Sequence, residues 1–445
     1  MKLSTLLSLP VALLVGLGSA RAFAQDSGSS RLRFSDAVEL SIGNTPQIEG
    51  AKFGIDAAER KLSGTAAQRL PKLKAEGNVL RWNDPIAIQF GSNAPGSSVV
   101  VREQVTTSFS LSLAQPISGL FVLGRMIDID RRAVGIARTS MAKTKLDAAH
   151  RAAEAYVATL NAQSAADLAK KTVTQFEAQH ANAVKLQAAG VLGLVDVLGL
   201  VSARDAARLA LVRAETTMAT ARAELAVAID REPDAGFDIV DEFPEPPPAP
   251  TLDETAAHQL AVDSRLELKD AALQTEQARA NKTVAMAQLL PNIMGIATYQ
   301  NITGQGPFQP RNAWYVGATL SWEIWDWGKT WDSVKEAEAR AGQVSTSEKT
   351  TRNQIALQVR QRLLENRAAF ATLEPARSSL SAAEEAHRIQ SVRFEQGVVS
   401  TVDIINSETD LHKARSAYAQ ARFDYYRAQI ALARVAGALP FAPQR

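Results

Sequence analysis

Two aspartates, Asp196 and Asp403, stand in related contexts, "GVLGLVD" and "GVVSTVD", each six residues after a glycine. A carboxylate at the start of a helix is favoured by the helix dipole. Repeated around an axis, the same groups could gather cations. The other residues that could do chemistry do not gather. The five histidines, at 150, 180, 258, 387 and 412, fit no metal-ligand spacing. "GKT" at 328–330 has Glu323 where a phosphate-binding loop needs its first glycine. There is no cysteine, hence no thiolate nucleophile, thiolate metal site or disulfide. No catalytic group, metal site or cofactor is expected, and the 22% of charged residues read mostly as solvated helix faces.

The acids sit in a chain of 445 residues that opens like a secretory signal peptide. Lys2 gives a positive start, a short apolar run spans Leu6 to Leu17, and Ala22-Phe23-Ala24 forms a small-x-small cleavage site before Gln25. Removing residues 1–24 takes away Lys2 and Arg21 and no acid, so the formal +2 falls to zero. A near-neutral mature chain argues against nucleic acid as a partner. Without cysteine the chain cannot carry a lipoprotein's lipid. No later run reaches the roughly 18 apolar residues of a spanning helix. The mature chain is therefore expected in the periplasm, outside the cell, or as a β-barrel in an outer membrane.

The elements that position the two aspartates occur twice. Gly190, Val191, Val195 and Asp196 match Gly397, Val398, Val402 and Asp403 at a constant offset of 207 residues. The offset holds downstream at Ala207/Ala414 and Arg208/Arg415, and upstream at Leu113/Leu320. Each half reads as helix, strand, loop, strand, very long helix, glycine break and returning helix. The first repeat is expected over 25–240, with a helix over 34–70, strands at about 72–82 and 104–115, and a hairpin tip at about 188–196. The second, over 253–445, has its helix at 253–290, strands at about 292–300 and 313–324, and a tip at about 395–403. A proline-rich linker, 241–252, joins them and favours an extended path. A helical run of about 65 residues is roughly 100 Å long, too long for a globular core, so it must pack along another helix as a coiled coil.

The strand "TTSFSLSLA" alternates between Phe109, Leu111, Leu113 and a face of Ser and Thr. Trp314, Val316, Leu320 and Trp322 make a second apolar face. About ten alternating residues is the length of a tilted strand that crosses a bilayer. The other reading is that these faces pack on the helices. Four strands cannot close a membrane barrel, which starts at about eight, so a barrel would need several copies. Trp82, Trp314 and Trp322 lie at strand ends, where interfacial aromatics are expected.

The duplicated order, "FSDAVELSIGNTPQIEGAKFGIDAAERKL", the "LLPNI" entry to a strand, "LSWEIWDWGKT" and above all "FEQGVVSTVDIINSETDLHKARSAYAQARFDYYRAQIALARVAG" resemble the TolC-type outer-membrane efflux proteins over essentially the whole mature chain. The resemblance implies a mainly α fold with a small β part, and a homotrimer. Its twelve strands would make one barrel through the outer membrane of a Gram-negative bacterium, and its helices a long periplasmic α-barrel. The 83–100 and 301–312 loops would then lie outside the cell. The function implied is a passive exit duct for efflux or type I secretion, served by a periplasmic adaptor and an inner-membrane pump. The tips Gly190, Val191, Gly193, Gly397, Val398 and Ser400 would meet the adaptor. Asp196 and Asp403 would form acidic rings at the closing pore. The family's inner Tyr, Arg and second Asp are replaced here by Phe394, Val399 and Asn406, so closure would rest on apolar packing. The competing class is a soluble periplasmic coiled-coil scaffold or adaptor, against which the duplicated hairpins and scarce strands argue.

Overall fold

The longest element sets the architecture. In the computed structural model, which describes residues 31–43, 45–89, 98–250 and 253–440, Gly119–Ala188 is one unbroken helix of 70 residues. At 1.5 Å per residue it is about 105 Å long. It buries a stripe of mostly small residues, including Ala149, Ala152, Ala153, Ala162, Ala166 and Ala169, with Tyr156, Leu160 and Phe176 as the larger knobs. Small side chains on one face let neighbouring helices approach closely along the whole length. The candidate signal peptide and its cleavage site lie outside the described residues.

In chain order the elements are β1 (Arg31–Leu32), α1 (Phe34–Ser41), α2 (Pro46–Ala67), β2 (Lys72–Arg81), β3 (Ile86–Gln89), β4 (Ser98–Pro116), α3 (Gly119–Ala188) and α4 (Leu194–Ala228). The second half holds β5 (Asp238–Ile239), α5 (Glu254–Ser264), α6 (Leu266–Ala287), β6 (Asn292–Gln305), β7 (Asn312–Ser321), α7 (Lys329–Ala371), α8 (Leu373–Glu395) and α9 (Thr401–Val435). Helices α3 and α4 form one hairpin, and α7–α8 with α9 form the other. Among the described residues no helix is long and apolar enough to cross a membrane.

Several expected boundaries move. The single helix expected over 34–70 is two, because Pro46 can start a helix but cannot continue one. Its counterpart is divided at Arg265, whose backbone is extended. The long second run divides at Thr372, where Pro375 has no N–H to offer the Ala371 carbonyl. The loop expected at 83–100 carries the extra strand β3, paired with β4, which itself begins at Ser98. Strand β6 runs on to Gln305, through residues expected in a loop, and follows an irregularity in β4 between Arg102 and Thr107. Gly304, at φ +79°, makes that approach possible: a Cβ there would stand 2.3 Å from the Val105 carbonyl oxygen. Strand β7 ends at Ser321, so Trp322 lies beyond it, its indole N–H donating to the Leu289 carbonyl at 3.2 Å.

A compact collar grips the long helices near mid-length. Strands β1 and β5 pair in parallel, and Phe34, Tyr156, Phe237, Phe243, Phe423 and Tyr426 pack together around them. Tyr156 donates its hydroxyl to the Leu32 and Val240 carbonyls at 3.0 and 2.6 Å, and burial pushes its phenol pKa up. His150 is fully buried. Burial lowers its pKa, so the neutral ring donates from Nε2 to the Ala438 carbonyl at 2.9 Å.

The described part of the proline-rich linker follows the collar surface. Tyr425 and Tyr426 donate to the Pro248 and Pro244 carbonyls, both at 2.6 Å. Arg422, about nine-tenths buried, forks onto Asp241 at 2.8 and 3.1 Å and donates to the Phe243 carbonyl at 2.7 Å. Arg422→Ala strands the Phe243 carbonyl and the Asp241 carboxylate, a cost of about 2 kcal/mol. The linker should then be cut faster by a glutamyl endopeptidase after Glu242. Arg422→Lys should protect only in part, because an ammonium cannot fork. Equal cleavage in all three proteins would show that the linker is held elsewhere.

Candidate functional site: two hairpin tips and a two-faced sheet

Each tip closes with a glycine that only a left-handed backbone allows. Gly190 has φ +76° and Gly397 has φ +70°. The next turn starts the returning helix, and the aspartates sit there as reciprocal caps. Asp403 accepts from the Ser400 N–H at 3.2 Å and the Ser400 hydroxyl at 2.7 Å, while Ser400 Oγ accepts from the Asp403 N–H at 3.2 Å. This is a complete capping box. Asp196 accepts from the Gly193 N–H at 3.2 Å, with no hydroxyl to return the bond. The two tips are thus secured unequally, and Ser400 has a structural task that the sequence reading did not assign.

The tips touch. A Cβ on Gly397 would lie 3.0 Å from Val191 Cγ1. Behind them Phe176, Ala183, Val197, Leu200, Phe394 and Ile404 form one apolar cluster, with Val399 packed against it. Phe394 is 2% exposed within a single chain. It therefore joins the two hairpins of one protomer, a position that its expected role at a shared pore did not specify. Asp403 and Asn406 are exposed one turn apart on α9. Val191, Leu194, Val195, Val398 and Val402 leave an apolar surface open around the two turns.

At the other end of the helices the sheet order is β2-β4-β6-β7, antiparallel throughout, with β3 on the margin of β4. Residues directly opposite one another in such pairs share a face. The register therefore builds rows. Leu73, Leu113, Ala297 and Val316 form one, and Ala75, Leu111, Tyr299 and Trp314 the next. Leu320 and Phe109 continue the same face. The opposite face holds Lys74, Ser112, Thr298 and Tyr315, then Glu76, Ser110, Gln300 and Ala313. Phe109, Leu111, Leu113, Trp314, Val316 and Leu320 are all exposed in the single chain, so among the described residues no helix covers them. Near the loop end Trp82 donates to Thr106 Oγ1 at 3.1 Å, and the Arg102 guanidinium stacks 3.9 Å from its ring centroid.

The remaining candidates stay separate. "GKT" opens α7, where the Asp326 carboxylate accepts from the Gly328 and Thr330 N–H groups at 3.1 and 2.7 Å, a helix cap. Among the described residues no group of three His, Asp or Glu is arranged to hold a metal ion.

A sheet with one apolar and one polar face, carried on helices too long for a globule, belongs to the class of channel-forming membrane proteins. The chain belongs to the outer membrane efflux protein family, which matches residues 37–230 and 257–438, once in each half. Members of this family are transport conduits and not enzymes. The chain is 30% identical to protein CyaE of Bordetella pertussis over 214 residues, 45% of this chain and 44% of that relative, so the match spans less than half of it. The fold is that of the outer-membrane channel OprN, at TM-score 0.77 and 18% identity over 91% of this chain and 90% of that one. It is equally that of CusC, at TM-score 0.79 and 14% identity over 94% and 96%.

The tip geometry separates the two glycines. An L-residue in the left-handed region costs about 1–2 kcal/mol at either position. Gly190→Ala meets open space, whereas Gly397→Ala also presses on Val191. Amide exchange in the first turn of α9 should therefore accelerate more in Gly397→Ala than exchange in the first turn of α4 does in Gly190→Ala. Equal acceleration would mean that the tips do not support each other.

Proposed function

We propose that three copies of this chain form an exit duct through the outer membrane of a Gram-negative bacterium, each contributing four strands to a common twelve-stranded barrel. The two-faced sheet carries the reading. Its apolar rows are exposed, and its polar rows suit a water-filled lumen. The outer strands β2 and β7 have ten residues each and no outer partner among the described residues. Because β2 and β7 run in opposite directions, β7 of one copy can pair antiparallel with β2 of the next. Ten residues match a tilted bilayer crossing. The helices then extend the duct into the periplasm, and the loop ends of the strands face outside.

The apolar tip surface suits a periplasmic adaptor, which in turn would connect the duct to an inner-membrane pump for efflux or type I secretion. Nucleic acid is not expected as a partner. The soluble scaffold reading would leave Leu111, Trp314 and Val316 in water, an apolar patch of the kind that soluble monomers avoid.

Leu111→Arg should place a charge on the lipid face at about 2–4 kcal/mol per chain near the bilayer midplane, and Ser110→Arg should face the lumen at little cost. Heat-modifiable oligomer recovered from outer-membrane fractions should fall with the first change and persist with the second. Equal loss, or recovery of the unaltered protein as a soluble monomer, defeats the duct.

The aspartates serve as acidic rings in this reading, with Asp403 also a cap. Asp403→Asn keeps the size and an acceptor but removes the charge. Ser400→Ala weakens the cap by about 1 kcal/mol and keeps the charge. In planar bilayers divalent-cation block should weaken with Asp403→Asn and persist with Ser400→Ala. Unchanged block in Asp403→Asn would reduce Asp403 to a helix cap.

A further inference from the structure

The most unusual ionisable group in the described chain lies above the second tip. Glu408 is on α9, eight residues after the Ser400 cap, about 12 Å along the helix from the turn. It is 1% exposed. His387 of α8 stands against it, Nε2 to Oε2 3.1 Å, yet Oε2 has no aligned hydrogen-bond donor. One turn further along α9 is His412, whose Nδ1 is 3.0 Å from Thr172 Oγ1 of α3. Thr172 Oγ1 also lies 3.0 Å from the Leu168 carbonyl. Three helices of both hairpins thus meet at one polar cluster, directly behind the apolar cluster of Phe394 and Ile404.

Helix α8 is suited to move relative to that cluster. It is separated from α7 at Thr372, and within the chain it lies along α9. Its side-chain ties to α9 include Arg415 to Glu384 at 3.3 Å and the His387 contacts with Ser407 and Glu408. We infer that Glu408, His387 and His412 form a proton-sensitive latch that sets how tightly α8 and α3 each hold α9 behind the second tip.

The groups facing the latch are few. Arg415 is the charged neighbour that acts on all three, and it is itself paired with Glu384 of α8. The α3 side contributes the uncharged Thr172 at His412, and its Asp167, Lys170 and Lys171 line the space beside Arg415. Burial pushes Glu408 up from its ordinary 4.5 to about 7, against the weaker opposing pull of Arg415. The closed packing therefore binds this proton more tightly than an opened one. That advantage is full below pH 4.5 and is lost as pH rises through about 7. Burial, with Arg415 second, lowers both histidines from 6.5, so their contribution is present above 6.5 and lost as pH falls through their lowered pKa values. Carboxyl and imidazoles consequently loosen the closed hairpin from opposite sides of neutrality. Protonated Glu408 can donate to His387 Nε2, whereas ionised Glu408 is a buried charge beside a neutral ring.

The test is backbone amide exchange across residues 383–391 in the detergent-solubilised oligomer of the full chain, corrected for the intrinsic pH dependence of exchange. From pH 6 to pH 8, protection in the unaltered protein relative to Glu408→Gln should fall about tenfold, the factor that a shift from 4.5 to 7 produces over that interval. A protein carrying His387→Asn and His412→Asn keeps the carboxyl without its opposing groups. Its own protection should fall about tenfold over the same interval, which serves if Glu408→Gln does not assemble. A ratio that does not change with pH overturns the latch, as does a change spread evenly over α3. The consequence for conduction rests on the duct reading. The exchange measurement does not, so its failure removes the latch and leaves the duct standing.

Discussion

A strand in hydrocarbon must satisfy both of its edges, because no water is available to replace a missing partner. This constraint organises the molecule. The sheet has an apolar face that no helix among the described residues covers, and its two outer strands have free edges of equal length. Neither feature is tolerable alone in lipid. Copies joined β7 to β2 answer both at once, and an even number of strands per chain makes the closing pair antiparallel. Once the strands are joined in a ring, the helices that follow them are brought side by side. The tips at their far ends are then brought together around one axis.

Much of this organisation is legible in the amino-acid sequence because two simple periods encode it. The alternation of Phe109, Leu111 and Leu113 marks a strand with unlike faces, and the constant offset between Gly190–Asp196 and Gly397–Asp403 marks two equivalent tips. Pairing is less legible, because it depends on residues remote in the chain. Residues 301–305 look like a loop, with Asn301, Gly304 and Gln305, yet they pair because β4 departs from regular register opposite them. Strand β3 is hidden for the same reason: four residues gain strand character only from Ser98–Arg102 across from them.

At the tips, position was readable and role was not. Phe394 aligns with a residue expected at a shared pore, but its surroundings in the fold are Phe176, Val197 and Leu200 of the other hairpin. The pairing of Glu408 with His387 was not legible in the sequence. They are 21 residues apart, on two helices that only the hairpin brings into contact. Glu408 stands on the buried stripe of α9, four residues after Ile404 and three before Leu411, and that spacing is the pattern that marks it as an inward acid.

The collar and the tips divide the labour between rigidity and movement. At the collar Tyr156, Tyr425 and Tyr426 donate to backbone carbonyls, and Arg422 forks onto Asp241. Such contacts have one good geometry and hold the helices in register. Toward the second tip the polar groups differ in kind. Glu408 Oε2 lacks an aligned donor, Gln175 and Gln179 keep buried oxygens without partners, and α8 has a break at its upper end. On the proposed latch, a change of packing at α8 would be confined to the part of the chain farthest from the sheet and would leave the strand pairing undisturbed.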